Sequence, residues 1–214
     1  MFLFMILLFP AVLGFYWVRT SETKIRTLIF TGFLIGVFVD IFMALFTYLH
    51  RTPEYNFISN MLYFSLKNYI LPSVILYLVY FFIVKESLEF RIKSFFPLIA
   101  SFFAVYMPYV AIVTDESLFS VFSLFFKPAI YLSYVIYLSF FIFKLYKFLI
   151  NRKKLHTVFT ILFLLVSMLL PAILETLYIM SALLIFTYIF SFFYVIGAII
   201  LFVKDLRKEE GFIY

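Results

Sequence analysis

Apolar residues run almost without interruption along the chain, broken at short intervals by small clusters of charge. A helix rises 1.5 Å per residue, so crossing a hydrocarbon layer of ~30 Å takes about 20 apolar residues. The pattern predicts seven membrane-spanning helices, near residues 2–18, 27–49, 68–84, 94–113, 128–146, 157–177 and 182–203. The last two are nearly continuous in sequence. One helix over 157–203 would be about 70 Å long, so two crossings with a turn near Glu175 to Ser181 are expected. The expected fold class is all-α: a polytopic helix bundle of residues 1–204 as one transmembrane domain, followed by a short cytoplasmic tail, 205–214.

Charge orients this bundle. Of the 17 basic residues, 14 fall in four breaks: Arg19 to Arg26, Lys85 to Lys93, Lys144 to Lys154, and Lys204 to Lys208. Arg51, Lys67 and Lys127 occupy the alternate breaks. Basic excess in short loops marks the cytoplasmic side, which predicts an external amino terminus and an internal carboxyl tail. The first 18 residues lack a basic leading segment and a small-residue cleavage site, so they are expected to remain as the first helix.

Composition sharpens the class. With 66% apolar, 24% aromatic and 13% charged residues, the chain has too little polar surface for a soluble globule, and the lipid bilayer is its expected partner. The net charge of +6 belongs to topology and to anionic lipid rather than to nucleic acid. The chain has no cysteine, which removes disulfides and thiolate chemistry.

Within the spans, Asp40 stands out, because an acid at membrane depth is costly and normally faces the bundle interior or a water-filled cavity. Gly32, Gly36 and Asp40 recur every fourth residue and share one helix face, where the glycines allow close helix approach. Glu175, after Pro171, is the second intramembrane acid. Measured from the cytoplasmic ends, Asp40 lies roughly 20 Å and Glu175 roughly 27 Å along their helices. Lys67 and Lys127 precede the third and fifth spans on that outer side. Two readings of these residues stay open. In one, Asp40, Glu175, Lys67 and Lys127 line an externally opening polar site with Tyr69, Tyr106, Tyr109 and Tyr131. In the other, Asp40 merely bonds neighbouring helices, the lysines reach for headgroups, the tyrosines form an interfacial belt and Glu175 marks a solvated turn.

The apolar stretches 57–67 and 118–127 are too short to span, and are expected to lie at the interface or to extend the next helix outward. Lys67 and Lys127 are 60 residues apart, as are several aromatic and aliphatic pairs behind them, an interval compatible with an old hairpin duplication. Pro97 and Pro128 are expected in first helical turns, where a missing amide is tolerated; Pro72, Pro108 and Pro171 are expected to bend helices or free carbonyls. No metalloprotease, nucleophile-elbow or phosphate-loop motif occurs. His50 and His156 fall on opposite sides of the membrane, so no catalytic residue, metal site or cofactor is expected.

Several stretches resemble the seven-helix amino-terminal sensory region of bacterial membrane histidine kinases and diguanylate cyclases. They are Val39 to Phe42 with its late acid, Asn60 to Pro72 leading into a tyrosine-rich span, Phe96-Pro97, Ile150 to Lys154, and Leu170-Pro171. The resemblance covers residues 20 to 204 and implies a receptor with an external amino terminus that signals to a cytoplasmic output domain. After the seventh span only Val203 to Tyr214 follows, so the chain is expected to be either a fragment or a free-standing sensor or subunit whose output comes from a protein partner, docked through Lys204, Arg207 and Lys208. A shorter stretch, Gly32 to Asp40, is similar to a segment of MreD-type cell-shape scaffold proteins. The expected function is thus a non-enzymatic, receptor-like inner-membrane sensor or subunit, with a small-solute transporter or a cell-envelope scaffold as alternatives.

Overall fold

In the computed structural model, the structure describes residues 13–14, 23–47, 56–83, 90, 94–113, 120–181 and 183–206. The elements are α1 (Thr23–Thr47), α2 (Phe57–Phe64) continuing through a π-helical turn (Ser65–Ile70) into α3 (Leu71–Ile83), α4 (Phe95–Val113), a second π-helical turn (Phe122–Phe126) leading into α5 (Lys127–Ile150), α6 (Lys154–Ile179) and α7 (Leu184–Leu206). No strand occurs among the described residues. Five stretches are long and apolar enough to cross a membrane: Lys24–Phe42, Phe57–Phe82, Phe122–Ile150, Lys154–Ile179 and Leu184–Asp205. Of the span expected at 2–18 only residues 13–14 are described, and Arg207 and Lys208 of the expected docking segment lie outside the described residues.

The bundle is built inside out relative to a soluble protein. Along α7 the buried stripe is Thr187, Ser191, Tyr194 and Ala198, while Ile185, Phe186, Phe190 and Phe193 face outward. Lipid tails are as apolar as these side chains, so helix association depends on close packing and hydrogen bonds, and small or polar residues collect inside. Large apolar residues are buried too, on α5 and most continuously on α4, which marks the centre. Every residue from Ser94 to Phe103 is buried, because α1, α3 and α5 all pack on it, and its apolar residues therefore need no polar face.

The glycine stripe of α1 is the surface laid on α4. A Cβ added at Gly32 would run into the Ser101 hydroxyl and lie 2.5 Å from the Leu98 carbonyl oxygen; one at Gly36 would sit 3.0 Å from Val105 Cβ. Gly32→Ala is therefore expected to force α1 and α4 apart and destabilise the fold by about 1–3 kcal/mol, the usual cost of overpacking, with Gly36→Ala milder. Unfolding of the two variants by denaturing-detergent titration in micelles checks the order; equal stability of Gly32→Ala and the wild type would mean that the contact is not needed.

The stretches 57–67 and 118–127 prove to extend helices outward where described. Phe57 to Ile83 is one continuous rod, and a second runs from Val121 to Ile150. Both contain a π-helical turn that ends two residues before a proline. Leu71 closes the first by sending its amide back to the Leu66 carbonyl, and Pro72 follows; Lys127 closes the second with its amide on the Phe122 carbonyl, and Pro128 follows. Proline lacks an amide proton and its ring crowds the carbonyl four residues back, and a widened i→i+5 turn accommodates both effects. Pro128 stands in the first turn of α5, as expected from sequence, although helical winding of the rod begins before it. Pro97 does stand in the first turn of α4, and Pro108 and Pro171 lie inside α4 and α6.

The chain reverses between α5 and α6 through Asn151, Arg152 and Lys153, with Arg152 in the left-handed region at φ 52°. It reverses again after Met180, where Ser181 and Leu183 also have positive φ, 52° and 51°. Non-glycine residues rarely adopt this conformation, so each reversal is held by its surroundings. The second reversal lies beyond Glu175, which leaves that residue within α6 rather than in a solvated turn.

Candidate functional site: a buried carboxylate between three helical rods

Glu175 lies one helical turn after Pro171 on the inner face of α6 and is 1% exposed. Each of its oxygens accepts a hydrogen bond from the first π-helical turn: the Tyr69 hydroxyl donates to Oε1 at 2.8 Å and the Asn68 amide nitrogen donates to Oε2 at 3.0 Å. From the third rod, the Lys127 ammonium stands 3.9 Å from Oε1, and it too is 1% exposed. Two donors and one cation around both oxygens are the surroundings an ionised carboxylate requires, since a buried charge is tolerated only when paired and hydrogen-bonded.

The π-helical turn brings consecutive residues to one carboxylate. Neighbours on an α-helix point ~100° apart, and the wider turn reduces that angle, so Asn68 and Tyr69 both reach Glu175. It also redirects backbone. The Lys67 carbonyl would normally receive the amide of residue 71 or, in a π pattern, of residue 72. Leu71 is committed to Leu66 and Pro72 has no amide, and the Lys67 carbonyl accepts instead the Tyr106 hydroxyl of α4 at 2.9 Å. Pro171 creates the same situation in α6. Without its amide the Ser167 carbonyl loses its usual helical partner, and the Tyr194 hydroxyl of α7 donates to it at 3.3 Å. Tyr134 donates to the Tyr69 carbonyl at 3.1 Å and Tyr137 to the Tyr194 carbonyl at 3.0 Å. The Tyr106 and Tyr194 hydroxyls thus satisfy backbone that proline has opened, as a low-dielectric interior demands, while Tyr134 and Tyr137 add bonds to carbonyls with no proline beyond them.

An aromatic wall encloses the donors. The Tyr69 ring stacks on Tyr131, with centroids 4.9 Å apart, and meets Tyr134 edge-on at 5.1 Å; Phe103 of α4 contacts both Tyr131 and Tyr134. Tyr109 packs beside Tyr106. One acceptor within the wall has no partner among the described residues: Asn68 Oδ1, on a side chain that is fully buried. The orientation of this amide is set by its partner, because only the nitrogen can donate to Glu175.

Of the residues expected from sequence, Glu175, Lys127, Tyr69 and Tyr131 meet directly, and Tyr106 ties α4 to the same turn. Lys67 does not point at the carboxylate. Its ammonium donates to the Tyr63 hydroxyl at 2.9 Å and lies 5.1 Å from the centre of that ring. The 60-residue interval therefore pairs two lysines with different surroundings, and the prolines that end the π-helical turns are 56 residues apart. Asp40 is half-buried on α1, and its Oδ1 is enclosed without a hydrogen bond among the described residues. It and Glu175 both lie within electrostatic range of the Tyr106 hydroxyl. Lys204 is exposed in the last turn of α7. No group of histidine and acidic side chains suited to a metal ion occurs among the described residues.

No protein-family model, curated protein or solved structure matches this chain. Sequence reasoning missed Asn68, Ser73 and Tyr134. The available signal was Asn68 itself, a polar residue next to Lys67 and four residues before a proline, at the point where an apolar rod should tolerate neither.

Proposed function

We propose that this chain is a non-enzymatic, seven-span, receptor-like subunit of a bacterial-type inner membrane, in which the Glu175–Lys127 pair is the element that changes state. The observation that carries this reading is the burial of both charges between three rods. Ion pairs this deep give little net stability compared with apolar packing, and ionisable groups at membrane depth mark functional positions by default. Asn68 Oδ1 leaves an acceptor open in the same site. A signal that adds a donor or a charge there shifts the balance among α2–α3, α5 and α6. The protein partner that takes up the shift docks at the end of α7, through Lys204 and the following Arg207 and Lys208.

Solute transport is the second reading. It is favoured by the prolines and π-helical turns beside the charged pair, since carriers form their sites at interrupted helices. Side-specific labelling separates the two. In an Asp40→Cys variant, an impermeant thiol reagent applied to right-side-out and inside-out vesicles is expected to react from one side or neither. Reaction from both sides favours the carrier and overturns the receptor.

The proposed orientation places residues 19–26, 85–93, 147–156 and 204–214 in the cytoplasm. Single cysteines at Thr52 and Asp115 are expected to label in intact cells, and one at Lys153 only after permeabilisation. Labelling of Lys153→Cys but not Thr52→Cys in intact cells would reverse the topology.

A further inference from the structure

A cleft of about 460 Å³ runs between α3, α5 and α6 and opens through the outer surface of the bundle. Val74, Leu78 and Phe81 form one wall and Leu145, Leu149 and Met168 the other. From Leu138 to Leu149 the cleft follows α5 for about 16 Å at the helical rise. Exposed Phe82, Phe163 and Leu165 on the same rods place its mouth against hydrocarbon, because an apolar surface of this extent is stable only in contact with lipid or another apolar surface. The two ends differ. At the inner end stands Ser73, buried and hydrogen-bonded to the Tyr134 hydroxyl at 2.9 Å. At the other end Leu149 leads into the α5–α6 reversal, where Arg152, Lys153 and Lys154 are consecutive and exposed.

We infer that this cleft binds one acyl chain of an anionic phospholipid, with the chain end near Ser73 and the headgroup at Arg152, Lys153 and Lys154. The cleft is apolar along its length and basic only where a headgroup belongs. A narrow apolar slot takes a flexible hydrocarbon chain, and a basic cluster at the membrane surface selects anionic headgroups. The inner end also touches the candidate site. Ser73 bonds Tyr134, Tyr134 bonds the Tyr69 carbonyl, and Tyr69 holds Glu175. A chain pressing on Ser73 therefore meets the hydrogen-bond network of the carboxylate two residues away. That coupling rests on the proposed role of Glu175; lipid binding does not.

The test is retention of lipid by the full chain purified in mild detergent, with phosphatidylglycerol and phosphatidylcholine of matched chains offered together and read by native mass spectrometry. The wild type is expected to retain phosphatidylglycerol about tenfold over phosphatidylcholine, the order expected when a few basic side chains meet an anionic headgroup. Leu78→Trp, or the smaller Val74→Phe where the larger ring lowers yield, fills the cleft and abolishes retention of both lipids. Arg152→Gln with Lys153→Gln and Lys154→Gln brings the two lipids to parity and keeps chain binding. Ile185→Trp, on the outer face of α7 and away from the cleft, serves as the bulk-matched control and changes nothing. Undiminished phosphatidylglycerol retention in both cleft-filling variants would assign the lipid to the surface charge alone and overturn the cleft, and equal retention of the two lipids by the wild type would overturn the headgroup assignment. Either failure leaves the Glu175 reading standing, because that reading is tested by accessibility and not by lipid.

Discussion

Lys127→Met is expected to destabilise the fold by about 3–5 kcal/mol, the usual cost of leaving one member of a buried ion pair without its partner. The methionine retains the length of the lysine stem but removes the cation 3.9 Å from Glu175, whose carboxylate keeps the hydrogen bonds from Tyr69 and Asn68 in an enclosed site. Glu175→Gln should be milder, because the neutral amide still accepts from Tyr69 while Lys127 is left to find other acceptors. The double variant Lys127→Met with Glu175→Leu is expected to recover most of the loss, since apolar replacement of a whole buried pair is often neutral or stabilising. Denaturing-detergent titration of the wild type, Lys127→Met, Glu175→Leu and the double variant in one micelle system gives the coupling energy. Additive single and double changes would show that the two charges do not interact across 3.9 Å. Recovery of stability without recovery of any signalling output is the pattern expected if the pair serves function rather than folding.

Pro72→Ala should disturb the site without touching any of its side chains. Alanine restores an amide at residue 72 and removes the ring that crowds the backbone of the preceding turn, so the reason for the π-helical turn disappears. A return to α-helical winding rotates residues 65–70 relative to α3 and separates Asn68 from Tyr69 around the helix. Glu175 then loses one or both of its donors, each worth about 1.5–3 kcal/mol for a charged acceptor, against a gain of about 1 kcal/mol for one added helical hydrogen bond. A net loss of about 0.5–5 kcal/mol is expected on the same magnitudes, according to whether one or both donors are lost. Backbone amide exchange should slow at residue 71 and quicken in α6 around Glu175. A stable variant with unaltered exchange in α6 would show that the rods, and not the proline, hold the π-helical turn.

The helical character of the chain and the five helices long and apolar enough to cross a membrane were legible from sequence, because both follow from quantities local to the chain. About 20 apolar residues in a row have one stable form in hydrocarbon. The two intramembrane acids were equally legible, since a carboxyl group among leucines and phenylalanines needs a reason wherever it points. That α1 packs closely on another helix could also be anticipated, because Gly32 and Gly36 share a face with a four-residue period, but that α4 is the partner came only from the tertiary structure. Lys127 and Lys67 show where that reasoning ends. In sequence they are equivalent, each a lone base before a tyrosine-rich span with proline close behind, and both suit a headgroup as well as a buried acid. Their environments diverge because Pro72 stands five residues after Lys67 while Pro128 follows Lys127 immediately. The lysines therefore occupy different points of the two π-helical turns, and only Lys127 is rotated toward α6. Asn68 and Tyr134 depend still more on assembly, since their roles exist only once α2–α3, α5 and α6 meet. Local sequence determined which segments enter the membrane and which residues are costly there. The packing of three rods decided which of those costs are offset against one another, because charge pairing and hydrogen bonds between rods act over a few ångströms among residues about 50 to 110 positions apart in the chain.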